Sequence, residues 1–483
     1  MMKKSKSLPI LAMALALSPL SPGQAEVASP KPNVILIMAD DLGFETLSAY
    51  GVPDFETPNL DALAEDGTVF EYCYATPICT ATRVSLMTGK YNHRNFERFG
   101  KFPDQDLENT FGNLMKEAGY TTCIAGKWQL GPANRVEKMG FDQTMQNDGW
   151  GGYYSDDPIT VNGVQVGNPD HRYRPDITNE FILNFIEENK DGPFFVYYPM
   201  FLVHAPEEPS PDYPNEALIE ASRTSVGTPK VDEYVFGDMM TYMDKLIGNV
   251  VRKVDEMGIR ENTLILFLGD NGTTPGHSGL QGELMVTMNG EPYRSGGKGS
   301  MQERGTRVPL ITNWKGVTTG TRCSDLTDIT DFYPTLAAVA DVPISPEDGI
   351  DGVSFLPQIK GEEGTPREWV FCLYDLNDAV VWRGPGKSNT GSLPPAHKMQ
   401  GTYWARSKEW KLYDNGELYD MTTDTEEQNP ILPPADTDES SAARAKLDGV
   451  FESLGAKDYH MITFHEYRDE VQRKLKQKEE SRK

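Results

Sequence analysis

The sequence predicts an α/β fold, a mostly parallel central sheet with helices on both faces, plus a smaller C-terminal α+β subdomain with an antiparallel sheet. Three observations carry this. Continuous apolar runs have the length and content of strands buried on both faces. Helical patterns with recognisable starts and stops fall between them. Past about Asp375 the texture changes to short strands separated by turn residues.

Taken in order, Val34 to Met38 is the first strand. Thr57 and Pro58 cap a helix that stops at Gly67, and Thr110 opens one that ends at Gly119. Thr121 to Ala125 is a strand, Thr178 to Asn189 an amphipathic helix, and Phe194 to Tyr198 a strand. Asp238 to Met257 is a helix closed by Gly258; Thr263 to Leu268 and Val308 to Thr312 are further strands. Beyond Asp375, Trp404 to Lys408, Lys411 to Tyr413 and Leu418 to Asp420 flank the turn Asp414-Asn415-Gly416. Glu466 to Lys483 is a charged helix or tail with a solvated surface. These readings divide the chain into residues 1–25, a large domain over 26–375 and a smaller one over 376–483.

The first segment has Lys3, Lys4 and Lys6, the apolar stretch Leu8 to Leu17, then Gly23-Gln24-Ala25, the pattern of a secretory signal peptide. It is too short to span a bilayer, no later run is long enough to anchor the chain, and no Cys stands near the cleavage point to take a lipid. The expected location is therefore periplasmic or secreted. Removing that segment takes away three lysines and no acid, so the net charge goes from −26 to −29. Such a field repels nucleic acid and anionic membranes, and an anionic substrate needs a local basic pocket. The five cysteines (Cys73, Cys79, Cys123, Cys323 and Cys372) are too few for a disulfide scaffold and are not spaced as a zinc site. Their odd number leaves one thiol with another fate.

In an open parallel sheet the working groups sit beyond the carboxyl ends of strands. Asp40-Asp41 follow the first strand, Gly126-Lys127 follow Ala125, His204 follows Tyr198, and Gly269-Asp270-Asn271-Gly272 follow Leu268. Six side chains thus converge on one edge. Asp and Asn after a strand also cap helices and make turns, but two such pairs offer hard oxygen ligands suited to Ca2+ or Mg2+. If Cys79 opens a helix, Arg83 lies one turn on, and a nucleophile at that terminus gains cationic support. Read as a plain thiol, Cys79 is either a low-pKa reactive cysteine or an inert buried one.

Cys79-Thr80-Ala81-Thr82-Arg83 and the segment through Tyr91, with Asn33 to Gly43, Thr57 to Leu60, Gly119-Tyr120, Gly126-Lys127-Trp128, His204-Ala205-Pro206, Gly269 to Gly272, Gly296 to Gly299 and Arg307-Val308-Pro309, resemble the formylglycine-dependent (type I) sulfatase family of the alkaline-phosphatase-like superfamily. Ala81 fits the less common alanine form of its signature. The resemblance implies that 26–375 is the catalytic domain. It implies that a formylglycine-generating maturation enzyme converts Cys79 to 3-oxoalanine, whose hydrate attacks sulfur to give a sulfo-enzyme intermediate. Asp40, Asp41, Asp270 and Asn271, with modified Cys79, would hold one Ca2+. Lys127 and Lys298 would clamp the sulfate, Arg83 would orient residue 79, and His204, with Lys298, would protonate the leaving alcohol.

Many relatives have a His two residues after the motif Lys, where this chain has Gln129. An amide orients a hydroxyl but does not take its proton. Gln129 and His277 are carried as substrate contacts, His277 also as a replacement base. The reading is an exported enzyme hydrolysing O-sulfate esters, on sulfated glycan fragments given its export. A phosphonate or phosphodiester hydrolase of the same superfamily, and a sulfated-glycan binding protein that keeps the thiol, are the alternatives. Trp150, Tyr153 and Tyr154 are offered as sugar-stacking aromatics or local packing.

Overall fold

The computed structural model describes residues 31–52, 55–95, 100–147, 152–224, 234–274, 284–286, 292–294, 296–374 and 403–458. The leader, Trp150, His277 and Glu466 to Lys483 lie outside them.

Ten strands form the main sheet: β1 (Asn33–Ala39), β2 (Thr68–Tyr74), β3 (Thr121–Lys127), β4 (Gln143–Asn147), β5 (Ile159–Val161), β6 (Val164–Val166), β7 (Phe194–Pro199), β8 (Thr263–Gly269), β11 (Arg307–Trp314) and β12 (Thr321–Asp328). A separate two-stranded pair, β9 (Leu284–Val286) and β10 (Pro292–Arg294), falls between β8 and β11. The order of the large sheet is β12-β2-β11-β8-β1-β7-β3-β4-β5-β6. Its centre, β8-β1-β7-β3-β4, is parallel throughout. The expected strand at Val308 to Thr312 is present as β11, but it runs antiparallel to both β8 and β2.

Every residue of β1, β7 and β8 is buried, because alternate side chains enter different cores. Ile35, Ile37, Val196, Tyr198, Ile265 and Phe267 pack with apolar residues of the Arg174–Asn189 and Val235–Glu256 helices. Val34, Leu36, Phe195, Tyr197, Leu264 and Leu266 pack with those of the Cys79–Thr88, Phe111–Glu117 and Phe332–Val339 helices. Helices thus cover both faces. The Phe111–Glu117 helix starts where expected: the Thr110 and Asn113 side chains each bond the other's backbone N–H. The Arg174–Asn189 helix begins four residues before the expected Thr178, with Pro175 in its first turn.

A second sheet, β13-β14-β15-β16, is antiparallel and built from Val370–Leu373, Tyr403–Arg406, Trp410–Tyr413 and Leu418–Asp420. Its first strand precedes residue 375. One face meets Ile78, Cys79, Ala81 and Met301 through Trp404 and Tyr413; the other takes Leu447, Val450 and Phe451 of the Asp438–Leu454 helix. No described helix is long and apolar enough to cross a membrane.

Candidate active site

The parallel register brings the strand ends together: Ala39 pairs with Gly269 and Met38 with Pro199. Asp40 and Asp270 therefore leave adjacent strands side by side, Lys127 closes β3, and the backbone N–H of Asp40 donates to Leu202 O in the segment leading to His204. Cys79 opens its helix as expected, and Arg83 follows one turn later. Asp40, Asp41, Cys79, Arg83, Lys127, Asp270 and Asn271 are all buried.

Each member is held by others. Arg83 Nη2 donates to Asp270 Oδ2 at 2.9 Å and lies 3.8 Å from Asp40 Oδ1, while Nη1 donates to Lys127 O at 3.2 Å. Lys127 Nζ pairs with Asp40. Lys298 Nζ sits 2.6 Å from Asp41 Oδ1, Asn271 Nδ2 donates to the same oxygen at 2.8 Å, and His204 Nε2 is 3.6 Å from Asp41 Oδ2. Asp41 adopts a left-handed backbone (φ 59°), which turns its N–H onto Asp270 Oδ1 at 3.0 Å.

Burial drives the Asp40 carboxyl well above the usual carboxylate range, with Lys127 opposing and Asp270 and Asp41 adding to the rise. Burial acts on Asp41 too, but the charges of Lys298 and Lys127 outweigh it and hold that group ionised. Burial, then the charge of Lys298, keeps His204 neutral. The Cys79 thiol is pushed up by burial, against Lys127 and Lys298, so the low-pKa reactive thiol is corrected: Cys79 stays protonated as a thiol.

Oxygen donors dominate the cluster. Asp40 Oδ1 and Asn271 Oδ1 are buried without a hydrogen-bond partner among the described residues. One ligand atom each from Asp40, Cys79 and Asp270 lies within 4.8 Å of the others, as does one each from Asp40, Asp41 and His204. Three carboxylates balance Arg83, Lys127 and Lys298. A hard divalent cation fits this donor set and leaves the pocket positive toward an anion.

Gln129 lies two residues beyond Lys127 at φ 53°, its Oε1 buried and without a hydrogen-bond partner among the described residues. His93 stacks on Tyr91 and meets Phe371 edge-on, a packing role. Tyr153 and Tyr154 are buried against Tyr173, the first ring stacked on it and the second tilted, so they are not free sugar platforms. Tyr153 instead donates its hydroxyl to His204 O at 2.6 Å. Sequence reasoning also missed Thr274, whose hydroxyl bonds Asp41, although it lies only three residues past Asn271. It missed Glu45 as well, a carboxyl buried beneath this loop with no signal beyond its nearness to Asp41.

The family model described as Sulfatase matches residues 32–342. The N-acetylgalactosamine-6-O-sulfatase of Bacteroides thetaiotaomicron is 28% identical over 481 residues, covering 83% of this chain and 90% of that relative. The Homo sapiens N-acetylgalactosamine-6-sulfatase is 29% identical over 438 residues, covering 81% and 75%. The crystal structure of Ps i-CgsB, also solved with k-i-k-neocarrahexaose, superposes with a TM-score of 0.71 at 25% identity over 92% of this chain and 97% of that one.

Proposed function

The chain belongs to the sulfatase family and is a sulfuric ester hydrolase; from that premise we propose an exported, formylglycine-dependent enzyme that removes O-sulfate from sulfated glycan fragments. The glycan class is supported by relatives named for 6-sulfated N-acetylgalactosamine. Export rests on the leader over residues 1–25 and implies a periplasmic or secreted protein, matured by a formylglycine-generating enzyme.

The observation that carries the reading is Cys79: a buried cysteine at a helix start, with Arg83 one turn on and the strand-end carboxylates around it. A thiol held protonated is a poor nucleophile, and conversion to formylglycine supplies a hydroxyl instead. Asp40, Asp41, Asp270 and Asn271 would hold Ca2+, which supplies charge neutralisation at the sulfate oxygens.

The chain's own side chains then divide the work. Lys127 and Lys298 bind sulfate oxygens in a site where few waters compete. Arg83, fixed by Asp270 and Lys127 O, orients residue 79. His204 Nδ1 faces Ala205 O, which leaves Nε2 toward Asp41, the carboxylate that Lys298 also holds. His204, with Lys298, is proposed to deliver the proton to the leaving alcohol oxygen. Gln129 and His277 are proposed substrate contacts; Gln129 cannot serve as the base that completes sulfate release.

Mass spectrometry of the tryptic peptide carrying Cys79, from protein made with its maturation system, tests this directly. An aldehyde or its hydrate is expected. An unmodified thiol in a preparation that still hydrolyses a sulfate ester would overturn the formylglycine mechanism.

A further inference from the structure

We propose that Lys411 on β15, together with Tyr413, positions Lys298, so that the small C-terminal sheet belongs to the catalytic apparatus; this rests on reading Lys298 as a sulfate clamp. Lys298 lies on the irregular segment Gly296 to Gln302. On the side of the large sheet, Lys298 N–H donates to Thr273 O at 3.0 Å and Gly299 N–H to Pro77 O at 2.9 Å. On the other side the grip comes from the small sheet: Lys411 Nζ donates to Met301 O at 3.0 Å, and Tyr413 Oη, which also pairs with Glu427, stands 3.0 Å from the same oxygen.

That grip is part of a buried network. Lys411 Nζ also meets Glu427 Oε1 at 2.8 Å and Glu303 Oε1 at 3.6 Å. Glu427 Oε1 accepts the Glu303 N–H at 2.9 Å, and Arg406 reaches Glu303 Oε2 at 2.6 Å. Two cations and two carboxylates, all nearly inaccessible to solvent, balance one another. Well-packed apolar residues usually stabilise a core as well as such a set does. What the charged set adds is direction: it fixes one carbonyl three residues from the Lys298 ammonium. Misplacing a binding group by about 1 Å is enough to cost a large factor in rate.

The test uses the matured full chain with Ca2+ and two changes, Tyr413→Phe and the charge-balanced pair Lys411→Met with Glu427→Gln. Each is made with native Lys298 and with Lys298→Ala. The readouts are kcat/KM on a sulfate ester, calorimetric affinity for inorganic sulfate, and Tm. With native Lys298 both changes are expected to lower kcat/KM and sulfate affinity about tenfold, and with Lys298→Ala less than about twofold, the non-additivity of groups that act through one another. Equal losses in both backgrounds, or a fall in Tm alone, would show a merely structural network and overturn the proposal. Should the charge-balanced pair fail to fold, Tyr413→Phe decides by itself. A wild type without sulfate ester hydrolysis would remove the functional reading, whereas the sulfate affinities would still report whether Tyr413 acts through Lys298.

Discussion

Glu45 is fully buried with its carboxyl turned toward Thr273, Gly296 and Arg304, yet neither oxygen closes a short hydrogen bond among the described residues. Burial pushes its pKa up from 4.5 to about 7. A carboxyl raised on folding stabilises the protein fully below its unfolded value, and that contribution is lost as pH rises through the folded value. The stability held in Glu45 should therefore decline between pH 4.5 and about 7, by an amount on the order of 3 kcal/mol. Glu45→Gln keeps the shape and removes the titration. Its Tm relative to wild type should climb by a few degrees from pH 5 to 7.5; parallel Tm profiles would refute the assignment. Asp40, Asp41, Lys127, Asp270 and Asn271 were legible because each closes or follows an apolar run. Glu45 was not, since nothing local separates a buried Glu from the common exposed one.

Strands supply the precision of the site, and Gly126 shows how. It stands in β3 at φ 134°, and a Cβ there would come 2.0 Å from Pro199 O on the neighbouring β7. Only a residue without Cβ lets β3 approach closely enough to deliver Lys127. Gly126→Ala should lower both Tm and kcat/KM. Gly119→Ala, at φ 89° with nothing within 4 Å of its Cβ, carries backbone strain alone, and should cost about 1–3 kcal/mol with kcat/KM unchanged. Equal activity losses in the two variants would refute this account. The apolar runs of β1, β3, β7 and β8 were readable because both faces are buried. β12 (TRCSDLTD) was not: its first residues are largely exposed at a sheet edge, so it carries no apolar run. The antiparallel direction of β11 was equally hidden, because strand direction is set by the connection and not by the strand.

Across the whole molecule the net charge of −26 and the pocket, positive once a divalent cation joins Arg83, Lys127 and Lys298, pull in opposite directions on an anionic glycan. The sequence shows both terms, since the charge is a sum and the Lys and Arg motifs are local. It could not show the grip of the small sheet on Met301, which joins residues more than a hundred positions apart. The far field reaches roughly 30 Å at 10 mM salt and about 8 Å at 150 mM. At low salt a polysulfated oligosaccharide meets the repulsive field well before the pocket, and encounter is slowed. Added NaCl shortens that field more than it weakens Lys127 and Lys298, which are buried or nearly so. At fixed Ca2+, kcat/KM for a polysulfated oligosaccharide should thus rise from about 10 mM to about 150 mM NaCl, while a small singly charged aryl sulfate changes little. A steady fall for the oligosaccharide over the same range would mean that a positive potential at the pocket mouth, and not the net charge, governs approach.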